Sequence, residues 1–215
     1  MDRTYERLGR YDERLEGISL IRGVGLTSNI YVIGRQRITL VDAGNGAYAN
    51  RIAPELRGLG LDVSDVVQVV ITHLHHDHVR GVLELVERAS PRIMVYRDDA
   101  VYLEDLKGAR VVGLREGDMV EAEGYTLNVI HTPGHMMGSI CLFDPLKKIL
   151  FSGDTVFPHG RFGRWDHGSI EAMIGSLGRL AGLDVDIMLP GHGRPAYRDA
   201  GQHIRLSLEA AQQYL

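Results

Sequence analysis

Cysteine is nearly absent. One residue, Cys141, stands in a chain of 215. No intramolecular disulfide can form, so packing must hold the fold, and any metal site must be built from histidine and carboxylate rather than thiolate. Long apolar runs are missing too, and none approaches the ~20 residues needed to span a bilayer. The N-terminus, Met1-Asp2-Arg3-Thr4-Tyr5-Glu6-Arg7, is charged from the start with no apolar stretch behind it. These absences lead us to expect a soluble cytoplasmic protein with no membrane partner. Charge of one sign is also scarce. A formal net charge of −4 offers no broad basic face, which argues against nucleic acid as a partner, although local arginine clusters can still hold an anion. Lysine is confined to Lys107, Lys147 and Lys148. No linker or low-complexity tract divides the chain. With 44% hydrophobic residues it can bury a real core, so residues 1–215 are expected to form one domain.

Histidine, in contrast, is concentrated. The apolar run Val66-Val67-Gln68-Val69-Val70-Ile71 leads directly into Thr72-His73-Leu74-His75-His76-Asp77-His78. The run is too uniformly apolar for a half-exposed strand and reads as a buried central one. His73, His75, Asp77 and His78 then fall in the loop at its C-terminal end, where sheets of this kind carry their chemistry. Three imidazoles and a carboxylate at that spacing could serve one metal ion or two. The bland alternative, a helix N-terminus favouring an acid at Asp77, leaves the imidazoles unexplained.

Around this centre the chain reads as short strands with helices interspersed. Gly17–Arg22, Asn29–Gly34 and Ile38–Val41 form a meander. Asp42 follows it, equally suited to a helix terminus or to orienting a metal ligand. Helices are expected over Ala47–Leu59, from near His78 onward, over Asp98–Leu106, Ser169–Ala181 and Asp199–Tyr214. Strands are expected at Arg92–Tyr96, Arg110–Val112, Met119–Glu121, Tyr125–Ile130, Ser139–Phe143, Lys148–Phe151 and Asp186–Leu189. This order predicts an α/β (α+β) fold, a four-layer αββα sandwich of two mixed sheets flanked by helices.

Three later loops repeat the central layout. His131-Thr132-Pro133-Gly134-His135, Ser152-Gly153-Asp154-Thr155 and Pro190-Gly191-His192-Gly193 each end a strand in a small-residue turn with a potential ligand. If these ends converge, His73, His75, Asp77, His78, His135, Asp154 and His192 supply five imidazoles and two carboxylates, enough for two cations.

In order, H-L-H-H-D-H, T-P-G-H, S-G-D-T and P-G-H-G resemble the metallo-β-lactamase superfamily, with matches from about residue 28 to 195. The segment Gly153 to Ser169 is similar to its glyoxalase II-like branch. The resemblance implies one metal held by His73, His75 and His135, a second by Asp77, His78 and His192, and Asp154 bridging them. It also implies an enzyme, and Asp77 is assigned as its catalytic residue. The expected cofactors are two divalent ions, zinc ahead of iron or manganese, since all three accept imidazole and carboxylate. Two ions about 3.5–4 Å apart can share a hydroxide, because coordination lowers the pKa of water to about 7. That hydroxide would attack a carbonyl whose oxyanion the metals stabilise, so Cys141 is left to packing.

The leading expectation is hydrolysis of a carbonyl ester of a small molecule, foremost a thioester. Only 23 residues follow His192, whereas glyoxalase II proper carries a long C-terminal helical region that grips glutathione, so a different acyl substrate is expected. A persulfide dioxygenase using one iron on His73, His135 and Asp154 ranks second. A lactonase ranks lower because its usual tyrosine is replaced by Phe157 and His159. His159, Arg161 and Arg164 are the candidate substrate contacts. His76 is read as a neighbour of the ligands or a surface residue rather than a ligand, His131 and His203 as structural, and Asp166-His167-Gly168-Ser169 as the cap of the following helix. A homodimer is admitted as the assembly.

Overall fold

Seven strands pair in sequence order into one sheet, and five later strands make a second. The computed structural model describes residues 4–46, 52–106, 108–165 and 167–215. The chain divides into two compact units, Met1–Leu114 with Glu121–Tyr125, and Arg115–Val120 with Thr126–Leu215.

The first unit contains β1 (Tyr5–Arg7), β2 (Ile18–Ile21), β3 (Ile30–Ile33), β4 (Ile38–Val41), β5 (Val66–Val70), β6 (Arg92–Tyr96) and β7 (Arg110–Leu114), with helices α1 (Ile52–Gly58), α2 (His76–Val79) and α3 (Val82–Arg88). Strands β1 to β4 are antiparallel, β2 to β4 as the short β-branched runs predict and β1 in addition to them, and β4 to β7 are parallel. The switch to parallel pairing needs crossovers, and α1 and α3 are available to make them. Leu40, Val69 and Ile93 from the sheet and Ile71 just after β5 pack with Ile52, Leu56, Val82 and Leu85 from α1 and α3 in one buried cluster. Each fully buried aliphatic side chain contributes about 1.5–3 kcal/mol of transfer free energy.

Two predicted helices differ in the structure. The one expected from His78 onward is broken at Arg80-Gly81 into α2 and α3. A Cβ on Gly81 would overlap the Ala43 carbonyl oxygen. There Ala43 N–H donates to the His78 carbonyl and Gly81 N–H to the Gly44 carbonyl, so the loop after β4 replaces the helix's own hydrogen bonds. The predicted helix Asp98–Leu106 is a 3₁₀ segment, Arg97–Leu103. Gly113 of β7 lies against Arg97, and the tighter winding suits a short connector between adjacent strands. The expected helix Ala47–Leu59 is seen as α1, whose N-terminal amides at Ile52 and Ala53 donate to the Glu84 carboxylate. Residues 47–51 of that expectation lie outside the described residues.

The second unit contains the first two residues of β8 (Met119–Ala122), β9 (Tyr125–His131) from Thr126 onward, β10 (Ile140–Asp144), β11 (Ile149–Gly153), β12 (Val156–Phe157), β13 (Arg161–Phe162), α4 (Ile170–Ala181), β14 (Ile187–Pro190) and α5 (Ala200–Gln212). Its main sheet has the order β14-β11-β10-β9-β8, with β11 and β14 parallel and the β9, β10 and β11 neighbours antiparallel. Helices α4 and α5 cover one face through Met173, Leu177, Leu180 and Ile204, packed with Cys141, Leu150 and Met188. Strands β12 and β13 form a small separate hairpin within a segment that reads as a loop in the sequence. Its turn uses left-handed backbone at His159 (φ 67°) and Gly160 (φ 72°). Ser169 caps α4 by accepting from Ala172 N–H at 3.2 Å, as the sequence predicts, while Asp166 lies outside the described residues. Among the described residues no helix is long and apolar enough to cross a membrane.

Candidate functional site

In the first unit the donor atoms follow β5. Its buried residues end at Val70, Thr72 and His73 are buried, and α2 begins at His76. His73 Nε2 lies 3.0 Å from His75 Nδ1, and the rings of His73 and His78 are centred 4.0 Å apart. His78 Nε2 is 3.7 Å from Asp77 Oδ2. His76 is exposed, in line with its reading as no ligand.

What fixes the His73 and His78 imidazoles is Asp42. Its Oδ2 lies 2.8 Å from His78 Nδ1, and its Oδ1 accepts from Thr72 N–H at 2.8 Å. The Thr72 hydroxyl lies 3.0 Å from each Asp42 oxygen and 3.1 Å from His73 Nδ1. A carboxylate only accepts, so His78 Nδ1 carries its proton and Nε2 keeps a lone pair. A Thr72 hydroxyl donating to Asp42 accepts in turn from His73 Nδ1–H, which leaves His73 Nε2 as a donor atom for a metal. Asp42 has φ 61°, and aspartate is among the few side chains that adopt this region readily. Of its two roles open in the sequence, a helix terminus is not the one observed: its carboxylate holds the His78 imidazole.

In the second unit the donors come from three strand ends. Strands β11 and β14 run parallel with Gly153 opposite Pro190, and Gly191 N–H donates to the Gly153 carbonyl at 2.8 Å. Asp154 and His192 therefore emerge side by side, with His192 Nε2 3.5 Å from Asp154 Oδ2. His135 follows β9 through a Thr-Pro-Gly turn, and its Nε2 is 3.8 Å from the same oxygen. His135 Nδ1 donates to the main-chain carbonyl of Arg164, again leaving Nε2 with its lone pair. Gly163 makes this approach possible, because a Cβ there would overlap the Asp154 carbonyl oxygen and crowd the His135 ring.

Spacings of 3.5–3.8 Å are long for hydrogen bonds. They suit donors sharing a cation, since ligands 2.0–2.1 Å from a tetrahedral ion lie about 3.3 Å apart. The donor chemistry of each group, imidazole with carboxylate and no thiolate, fits zinc, iron or manganese.

The remaining predicted residues fall as follows. His159 and Arg161 line a cleft of about 360 Å³ in the second unit together with His192. Arg164 does not line it; its side chain is exposed and its carbonyl holds His135. His131 Nε2 donates to the Met137 carbonyl, 2.8 Å away, a structural role. His203 accepts from His159 N–H at 3.2 Å, and burial followed by the charge of His159 lowers its pKa. Burial also pushes the Cys141 thiol up to about 11, which suits packing and not nucleophilic attack. Arg194 and Arg198, also on the cleft, were missed; the signal for them was their position just after Pro190-Gly191-His192.

Mixed sheets flanked by helices, with imidazole and carboxylate donors gathered at strand ends, define a metal-dependent enzyme of the α+β class. A family profile described as the metallo-beta-lactamase superfamily matches residues 23–192, and the chain belongs to that superfamily, whose members are metal-dependent hydrolases. Solved structures agree on the fold. A metallo-beta-lactamase family protein from Thermus thermophilus superposes with a TM-score of 0.77 at 22% identity, covering 92% of this chain and 80% of that one. An archaeal superfamily protein from Sulfolobus tokodaii gives 0.70 at 19% identity, covering 89% and 84%. A protein designated TTHA1623, solved in a di-iron-bound form, gives 0.67 at 27% identity, covering 87% and 95%.

Proposed function

We propose that this chain is a dinuclear metal-dependent hydrolase of a carbonyl ester, foremost a thioester, of a small molecule. In this reading His73, His75 and His135 hold one ion, Asp77, His78 and His192 hold the other, and Asp154 bridges them. The observation that carries it is the commitment of the second nitrogen in His78 and His135. His78 Nδ1 is engaged by Asp42 and His135 Nδ1 by the Arg164 carbonyl, so both rings present Nε2 as a ligand before any ion arrives. The di-iron-bound form of the protein 27% identical to this chain supports two metals, and the glyoxalase II-like segment Gly153 to Ser169 supports the thioester.

When bound, the ions supply Lewis acidity and bring the pKa of water to about 7. The chain supplies the rest. Asp42 and Thr72 hold His78 and His73 in the ligand tautomer. Asp77, with a side chain 25% exposed, is the group assigned to take the proton of the attacking water. Val66, Val69 and Val70 of β5 are buried and keep the strand that delivers these groups rigid.

The test is elemental analysis of protein purified without chelator, followed by turnover of thioesters, lactones and persulfides. Two metals per chain with thioester cleavage is the expected result. One iron per chain with oxygen uptake on glutathione persulfide would overturn it in favour of a dioxygenase, and cleavage of lactones alone in favour of a lactonase.

A further inference from the structure

The cleft beside His192 is unusually one-sided in charge. Its walls are the turn between β12 and β13 and the segment from His192 to the start of α5. They bring Arg161, Arg194 and Arg198 around it with no aspartate or glutamate in the lining. Among the described residues none of these three arginines forms an ion pair. Other arginines on this chain do have acidic partners, as Arg22 has Glu6, Arg35 has Glu16 and Arg179 has Glu116. Three unmatched guanidinium groups around one concavity focus a positive potential there, in a chain whose net charge is −4.

The cleft is also held in shape. His159 sits in left-handed backbone at φ 67°, and its N–H donates to His203 Nδ1, with the two rings 5.0 Å apart in an edge-on arrangement. His203, with its pKa lowered by burial, serves as the neutral acceptor of that bond. The Arg161 guanidinium lies 5.9 Å from the Phe157 ring centre, a cation–π contact that holds it against the wall. At about 360 Å³ the cavity is near the small end of ligand sites, which run from about 300 to 1,000 Å³.

We propose that this cleft selects an anionic substrate: Arg161, Arg194 and Arg198 bind a carboxylate or phosphate carried by the acyl ester, and so set its reacting carbonyl against His192. Planar guanidinium groups pair with either oxyanion in two-pronged fashion. This assignment rests on the reading of His192 as a metal ligand.

Two measurements test it. In the first, inorganic phosphate and succinate are each titrated by calorimetry into metal-loaded protein, wild type, the Arg194→Gln/Arg198→Gln double variant and Arg110→Gln. At least one anion should bind the wild type, bind the double variant about tenfold more weakly, and bind Arg110→Gln unchanged. Equal affinity in the double variant, or no binding of either anion to the wild type, overturns the proposal. Because both arginines are exposed, circular dichroism is expected to show the double variant folded; if it is not, Arg161→Gln is read by the same criteria. In the second, three thioesters alike except for a terminal carboxylate, phosphate or amide are compared. The preferred anion should lower KM about tenfold relative to the amide, and that ratio should collapse toward one in the double variant. The arm with the larger ratio tells carboxylate from phosphate. If no thioester is cleaved, the hydrolase reading fails while the calorimetry still decides the anion cleft.

Discussion

The two donor groups are built by different means. In the first unit, side chains do the fixing: the buried carboxylate of Asp42 reaches Thr72 and His78, and through the Thr72 hydroxyl reaches His73. In the second unit the main chain does it: the Arg164 carbonyl holds His135, and the Gly153–Gly191 hydrogen bond sets Asp154 beside His192. Exposure differs to match, with the side chain of His78 at 0% and that of His192 at 32%. A buried side-chain network gives rigidity that a single substitution can undo, whereas a main-chain frame is vulnerable chiefly where backbone segments pass closely. The second group is also the one flanked by the arginine cleft, so the more rigid donors lie in the first unit and the more open ones in the second.

The largest expected effect comes from the residue on which the second group centres. Asp154→Ala removes the oxygen that lies within 3.8 Å of both His135 and His192. Turnover should fall about a thousandfold, the several kcal/mol that a metal ion contributes to a reacting carbonyl. Metal content measured alongside should drop below two per chain, and retention of both metals with full turnover would remove Asp154 from the ligand set.

Asp42→Asn addresses the first group. Asparagine tolerates the left-handed backbone at this position but cannot accept all the hydrogen bonds the carboxylate accepts. Metal affinity should weaken about 10–100-fold, read by competition with a chelator. Asp42→Ala should in addition lower stability by about 2–4 kcal/mol, since it strands buried donors and strains the backbone. If Asp42→Asn binds metal as tightly as wild type, the contrast between side-chain and main-chain fixing breaks.

Gly163→Ala probes the main-chain frame. The added methyl would overlap the Asp154 carbonyl oxygen and press on the His135 ring. The expected loss of stability is about 1–3 kcal/mol by denaturant melts, accompanied by loss of metal from a site whose ligands are all still present. Smallest of all is Cys141→Ala, expected to leave turnover unchanged and to lower stability by about 1 kcal/mol. A large fall in turnover there would contradict the packing role that its complete burial supports.

Much of this was legible in the chain because it is local. The β-branched runs that make β2, β3, β4 and β6 carry their own pattern, and His73 to His78 is contiguous, so strand end and donors are read together. The hairpin of β12 and β13 was not legible, because its four residues are held by pairing with each other and each strand is only two residues long. The break between α2 and α3 was hidden for a related reason: it depends on Ala43, about forty positions earlier, whose carbonyl occupies the space a side chain at Gly81 would need.

Residue order alone therefore settles the class of chemistry: imidazoles and carboxylates at strand ends, no thiolate, and a family whose motifs appear in order. Tertiary structure decided which atoms are available to do it. Asp42 could have capped a helix, and only the packing of β4 beside β5 brings its carboxylate to His78 and Thr72. Arg164 read as a substrate contact, yet its carbonyl is what His135 needs. The physical reason is the same in both cases. A hydrogen bond depends on positions in space, and the residues that satisfy His78 and His135 lie 36 and 29 positions away in the chain.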